Sequence, residues 1–142
     1  MKPLLETNHK PERMTNEELI AYWLAESEES LTVAGHLFDK KDYSYSLFFG
    51  HLAIEKLLKA VYVKNVDENV PRSHNLPRIA KSAGLDVPEE MQDDLIRITA
   101  FNIEARYPDY KREFRKKCTA EFTAAELKKI QEVFAWLKLT MR

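Results

Sequence analysis

The stretch SYSLFFGHLAIEKLLKAVYV, residues 44–63, decides the fold because it predicts one long helix running from about residue 43 to residue 64. It contains no proline, and Gly50 is its only glycine. With 100° of rotation per residue, one arc of this helix is apolar throughout, which is typical of a side that faces a core. That arc comprises Leu47, Gly50, Ile54, Leu57, Leu58 and Val61.

The opposite arc of the same helix mixes charged and apolar residues. It carries His51, Glu55, Lys56 and Lys59 together with Phe48, Leu52 and Tyr62. One interpretation makes Glu55 and Lys59 an ordinary i,i+4 pair on a face covered by a neighbouring helix. The other makes this face a contact for a second subunit or a ligand. A lone histidine such as His51 is more often hydrogen-bonded than functional.

The rest of the chain also predicts helices. Thr15 and Glu18 form a capping box for a first helix, Ser73 or Asn75 caps a short one that Gly84 ends, and Pro88 opens another that stops before Pro108. The segment TAAE predicts that the last helix begins at Thr123. The expected spans are 15–40, 43–64, 76–82, 88–107 and 123–141. No segment alternates like a strand, so we expect an all-α, up-and-down four-helix bundle with one additional short helix.

Composition favours one domain in a chain of 142 residues with three glycines and a formal charge of −1. We expect a flexible segment over residues 1–14 and the helical bundle over 15–142. The single cysteine, Cys118, indicates a reducing, cytoplasmic setting, and no apolar run suits a signal peptide or a membrane span. No phosphate loop, H-E-x-x-H motif or nucleophile elbow is present, so we do not expect a self-contained metal enzyme or hydrolase, and we predict no metal and no cofactor.

The stretch NIEARYPDYKREFRKKC, residues 102–118, contains the densest positive patch of the chain. Asn102 and Arg106 continue the core-facing stripe of the preceding helix, which predicts that both point inward. An inward arginine needs a carboxylate, phosphate or carbonyl partner. That partner is either Glu55 or Asp109 within the chain, or a phosphate with Tyr107 or Tyr110 stacking on a base.

Five basic residues follow within seven positions: Lys111, Arg112, Arg115, Lys116 and Lys117. Such a run is usually a solvated connector. Interleaved with tyrosines and Phe114, it also has the composition of a surface for nucleotides or single-stranded nucleic acid.

Three segments in order, SYSLFFGHLAIEKLLKAVYV, SHNLPRIAKSAGL and NIEARYPDY, resemble the signatures of the HEPN domain, named for higher eukaryotes and prokaryotes nucleotide binding. The resemblance covers about residues 16–142, and the R-Y-P segment is similar to the nucleotide-binding branch of that family. It implies a helical bundle that is commonly a homodimer. It also implies a minimal nucleotidyltransferase as partner, often in a toxin–antitoxin pair.

Many HEPN proteins are metal-independent RNases that use an arginine followed after four to six residues by a histidine. Here the corresponding positions after Arg106 are Lys111, Arg112 and Glu113, so the usual imidazole is missing and the catalytic residues are unknown. The resemblance therefore favours a binding module for a nucleotide or RNA. Its predicted contacts are Arg106, Tyr107, Asp109, Tyr110, Lys111, Arg112 and Arg115, supported by His51, Glu55, Lys59 and Asn102.

Two alternatives stay open. One is an RNase toxin with a nonstandard base, for which His51 and His74 are the available imidazoles. The other is a purely structural partner subunit.

Overall fold

A computed structural model describes residues 14–142 and the backbone of Thr7–Asn8. The prediction of a flexible segment over residues 1–14 falls almost entirely outside these residues. The elements in chain order are β1 (Thr7–Asn8), α1 (Asn16–Asp39), α2 (Tyr43–Asn65), β2 (Val70–Pro71), α3 (Leu76–Ser82), α4 (Glu89–Arg106), α5 (Pro108–Lys117) and α6 (Ala120–Thr140).

The all-α prediction is confirmed, and the spans predicted for α1 to α4 agree with the structure to within about one residue at most ends. One small difference is an antiparallel ladder of two residues on each side, in which Thr7 pairs with Pro71 and Asn8 with Val70. Two residues are too few to show the alternation of apolar and polar side chains by which a strand is recognised in a sequence. Within the described part of the chain, no helix is both long and apolar enough to cross a membrane.

Helix α2 is the central element, because it packs against α1, α3, α4 and α6. Its apolar arc lies in the main core, where Leu47, Ile54, Leu57 and Leu58 are fully buried. Its mixed arc is buried as well, with His51 at 0%, Glu55 at 4% and Lys59 at 6% exposure. Neighbouring helices of the same chain therefore cover the mixed arc at these three positions.

The predicted N-caps of α1 and α3 are confirmed. Thr15 accepts from the backbone N–H of Glu18, whose side chain bonds back to Thr15. Asn75 accepts from the N–H of Arg78 at the start of α3, and Gly84 follows that helix with φ +77°. These polar side chains satisfy amide groups that the first turn of a helix leaves free.

Helix α5 was not predicted and corrects the interpretation of residues 107–117 as a loop. Pro108 ends α4, as expected, but it also occupies the first turn of α5, where its fixed φ and missing N–H are harmless. Tyr107 between the two helices is extended, with φ −85° and ψ 131°, as a residue before proline prefers. The bundle thus has two short helices.

The predicted start of α6 at Thr123 was wrong. Thr119 is the N-cap and accepts from the N–H of Phe122, whereas Thr123 lies inside the helix with 0% exposure. The carboxylate of Glu126, which would complete a capping box with Thr123, is bonded to Arg97 of α4 instead, at 2.5 and 3.3 Å.

Gly50 lies where α2 packs tightly against α6, since a Cβ there would lie 2.6 Å from Cδ1 of the buried Ile130. We predict that Gly50→Ala destabilises the fold by about 1–2 kcal/mol, because overpacking outweighs the gain in helix propensity. The measurement is urea denaturation.

Gly35→Ala is the matched control, because nothing lies within 4 Å of a Cβ at that helical position. It should stabilise the chain by about 0.5–1 kcal/mol. The double variant G50A/I130V removes the clashing Cδ1 and should recover part of the loss. Equal effects of the two glycine substitutions would contradict the close approach.

Candidate nucleotide-binding site

A chain of hydrogen-bonded polar side chains runs from the middle of α2 to the end of α4. We call it the polar chain; its members are Lys59, Glu55, His74, His51, Asn102 and Arg106. Four of the six are buried residues of α2 and α4. Because buried polar groups are costly when unpaired, the pattern of donors and acceptors along this chain is tightly constrained.

Glu55 is bonded through both carboxylate oxygens. Lys59 Nζ donates to Oε2 at 3.0 Å, and His74 Nδ1 lies 2.7 Å from Oε1. Burial raises the pKa of Glu55, but Lys59 and the histidines outweigh it and the pKa lies below its usual value. The group is therefore a carboxylate at neutral pH. Lys59 also places Nζ 5.0 Å from the centre of the Trp23 ring.

The tautomer of His51 follows from its two neighbours. Its Nε2 lies 3.1 Å from the backbone carbonyl of His74 and 3.7 Å from Glu55 Oε1, both of which only accept. Burial lowers the pKa of His51, and electrostatic interaction with His74 and Arg106 adds to that effect, against Glu55 and the backbone carbonyl of His74. A neutral imidazole with its proton on Nε2 therefore presents Nδ1 as an acceptor.

Asn102 bonds to both His51 and Arg106. Its Nδ2 lies 3.4 Å from Nδ1 of His51, so the amide N–H faces the imidazole and Oδ1 faces the other way. Arg106 then donates from Nη2 to Oδ1 at 2.8 Å and from Nε to the backbone carbonyl of Asn102 at 3.2 Å. The protonation state of a buried histidine thus sets which atom of Asn102 holds the arginine.

The prediction that Asn102 and Arg106 both point inward was right for Asn102 and wrong for Arg106. Asn102 is buried at 3% exposure, whereas Arg106 is exposed at the C-terminal end of α4. Its guanidinium lies 5.6 Å from the ring centre of Phe48 and 5.7 Å from that of Tyr107. The flat guanidinium needs no buried anion because it is held at the surface, over two aromatic rings.

The proposed intramolecular partners of Arg106 are not used. Glu55 bonds to Lys59 and His74 instead, and among the described residues Asp109 makes no ion pair with the arginine. Asp109 lies in the first turn of α5, where a negative charge complements the helix dipole.

The basic residues predicted as contacts share one side of α5. Phe114 anchors the helix by packing its ring 5.5 Å from that of Phe101. Pro108, Lys111, Arg112, Arg115 and Lys116 then line an open groove of about 680 Å³, which we call the α5 groove. Tyr107 and Tyr110, both about half exposed, lie beside it along the chain.

A family model for the HEPN domain matches residues 20–140. The chain belongs to the HEPN family. The crystal structure of TT1696 from Thermus thermophilus matches this fold with a TM-score of 0.73 and 20% sequence identity, covering 84% of this chain and 95% of that one. No curated protein matches the chain.

Three features of this HEPN domain lay outside the predicted contact set. His74 precedes α3, Phe48 underlies Arg106, and Lys116 completes the α5 groove. The H-N-L turn and the basic run were visible signals for His74 and Lys116. Nothing in the sequence showed that Phe48 meets the arginine, because that contact depends on how α2 packs against α4.

Cys118 is not a nucleophile in this HEPN domain. It is buried, and desolvation raises the pKa of its thiol to about 11, so it stays protonated at neutral pH. In the described part of the chain, no three metal-binding side chains cluster. The groups present at the polar chain and the α5 groove are cations, a buried carboxylate, an amide, aromatic rings and imidazoles.

We predict that His51 makes the fold sensitive to mild acid. The unfolded chain protonates this residue near the ordinary value of 6.5, whereas the folded chain does so only at lower pH. Stability is therefore complete above about pH 6.5 and is lost as the pH falls below it. Between pH 7.5 and 5, the free energy of unfolding from urea titrations should fall more in the parent than in His51→Gln.

Glutamine keeps an N–H donor for the His74 carbonyl but does not titrate. The groups around His51 are Glu55, His74 and Arg106, and the titration stops at pH 5 to stay above the range where Glu55 protonates. The same loss of stability in both proteins would contradict a neutral, buried His51.

Proposed function

We propose that this HEPN protein binds the phosphate of a nucleotide or RNA through Arg106, with the α5 groove as an electrostatic guide. The observation that carries the proposal is the arginine itself. Its guanidinium is exposed, fixed by two hydrogen bonds to Asn102 and placed over Phe48 and Tyr107. A fixed arginine loses less side-chain entropy on binding than a free one.

The remaining N–H donors of the Arg106 fork are available to a phosphate, which prefers this bidentate geometry. Tyr107 and Tyr110 offer exposed rings to a base, and Lys111, Arg112 and Arg115 attract the anion. In this scheme His51 and Asn102 orient the arginine. Glu55 and Lys59 do not contact the arginine; they pair with each other and so satisfy their buried charges.

We further propose that the protein is a cytoplasmic homodimer and the partner of a minimal nucleotidyltransferase, in a toxin–antitoxin-like pair. The support is family membership, together with the binding surface, which would suit the nucleotide or nucleic-acid substrate of such an enzyme. Exposed apolar side chains on α4, among them Ile96 and Ile103, are available to a subunit contact.

We predict that Arg106→Ala lowers the affinity for UMP and for an RNA octamer at least tenfold while leaving the circular dichroism spectrum unchanged. The reason is that it removes the oriented phosphate donor. Arg78→Ala is the matched control, because it removes the same charge from an exposed position on α3. Isothermal titration calorimetry, with and without the co-purified nucleotidyltransferase, gives the affinities.

If Arg106→Ala unfolds, or binds as well as the parent, the arginine is structural. If the parent binds nucleotide in neither preparation, the protein is a structural partner subunit.

RNA cleavage is the second candidate function, and one observation favours it. His74 is held by Glu55 through Nδ1 at 2.7 Å and has an exposed side chain, which leaves Nε2 facing solvent. His51 is ruled out as the base because it is fully buried with both nitrogens bonded. Cleavage of total RNA in the presence of a chelator, lost in both Arg106→Ala and His74→Ala, would replace the binding proposal with an RNase.

A further inference from the structure

A second concave surface adjoins the α5 groove on the other side of Arg115. We call it the tyrosine cleft. It has a volume of about 470 Å³ and lies between α5 and the turn that joins α1 to α2. Among its lining residues are Lys41, Asp42, Tyr43, Tyr45 and Arg115. Its size is in the range of pockets that take a small organic group such as a base.

Tyr45 joins the tyrosine cleft to the α5 groove. Lys111 Nζ lies 5.2 Å from the centre of the Tyr45 ring. Contact with Lys111 first, and with Arg115 as well, lowers the pKa of the Tyr45 hydroxyl. Two cations of α5 are thus close to one aromatic side chain that also lines the cleft.

The α5 cations repeat along the helix axis. Lys111 and Arg115 are one turn apart, as are Arg112 and Lys116, which corresponds to about 6 Å. This separation is of the order of the step between successive phosphates of an extended single strand. The ten residues of α5 span about 15 Å, enough for more than one phosphate.

We propose that the ligand is a single-stranded polynucleotide whose phosphates cross α5 and one of whose bases enters the tyrosine cleft. This rests on the proposed function and names its substrate class. Arg115, shared by groove and cleft, contacts the phosphate next to that base. Arg106 and Tyr107 hold another nucleotide of the same strand at the other end of α5.

A single strand fits this surface better than the other anionic ligands. A mononucleotide would leave either the groove or the cleft unused. A duplex hides its bases from Tyr45 and Tyr110, so neither ring could stack on them. Alternating cations and aromatic rings is the arrangement that binds single strands with little sequence preference.

The test is a length series of oligouridylates with one, two, four and eight nucleotides, measured by competition against a fluorescent octamer at several salt concentrations. We expect the affinity to rise with length and the octamer to show a slope of about −2 to −3 in log affinity against log salt, from about four phosphate contacts. Arg115→Ala should reduce the slope by about 0.7.

Tyr45→Ala should weaken octamer binding about tenfold. Tyr22→Ala, on the exposed side of α1, and Lys129→Ala, on α6, are matched controls for the ring and the charge. An oligothymidylate octamer tests whether the surface distinguishes DNA from RNA. Equal affinity for the two octamers shows that it takes single-stranded DNA and RNA alike, and weaker affinity for the DNA octamer assigns it to RNA. Both results support a single-strand surface.

An octamer that binds no more tightly than UMP would overturn this inference, while UMP binding that depends on Arg106 would still support the proposed function. An unchanged salt slope in a folded Arg115→Ala variant would also overturn it. Octamer binding that depends on α5 but not on Arg106 would overturn the proposed function instead. If the octamer does not bind at all, α5 serves another partner, such as an acidic protein surface, and the inference is wrong.

Discussion

The carboxylate of Glu55 lies in the interior of this helical bundle, and a buried charge has to be fully bonded or the fold loses several kcal/mol. Lys59 and His74 supply the bonds, one to each oxygen. The bond to His74 ties the loop before α3 to the middle of α2. It also brings the backbone carbonyl of His74 to His51, which thereby holds its proton on Nε2. The need to pair the buried carboxylate of Glu55 thus determines which nitrogen of His51, one helical turn away, carries the proton.

Asn102 connects the buried His51 to Arg106 at the surface. Since Nδ1 of His51 accepts, the amide of Asn102 has one orientation, and its oxygen holds Arg106. A second constraint, Pro108, ends α4 immediately after this arginine and starts α5 in a new direction. Helix packing brings the members of the polar chain together, and Pro108 separates α4 from α5. Together they place one fixed guanidinium beside a helix that presents four cations in a groove.

Periodicity and capping residues predicted the four long helices and α3, because their apolar stripes and caps are local signals. The start of α6 was mispredicted because TAAE has the composition of a capping box, whereas Thr119 caps the helix and Glu126 bonds to the distant Arg97. Helix α5 was missed because only one of its residues, Phe114, is buried. The sequence identified His51, Glu55, Asn102 and Arg106 as a group, yet their connections require the tertiary structure. The exposed position of Arg106 was mispredicted because the spacing of residues along α4 carries no information about the contact with Phe48 on another helix.

The most direct test of this account is the tautomer of His51, measured by long-range 1H–15N NMR of the imidazole ring at about pH 6, just below the ordinary histidine pKa. The account predicts a neutral ring with its proton on Nε2 and an unprotonated Nδ1. An imidazolium, or a ring protonated on Nδ1, would contradict it. In either case Asn102 would have to turn its oxygen toward His51 and its N–H toward Arg106, which only donates.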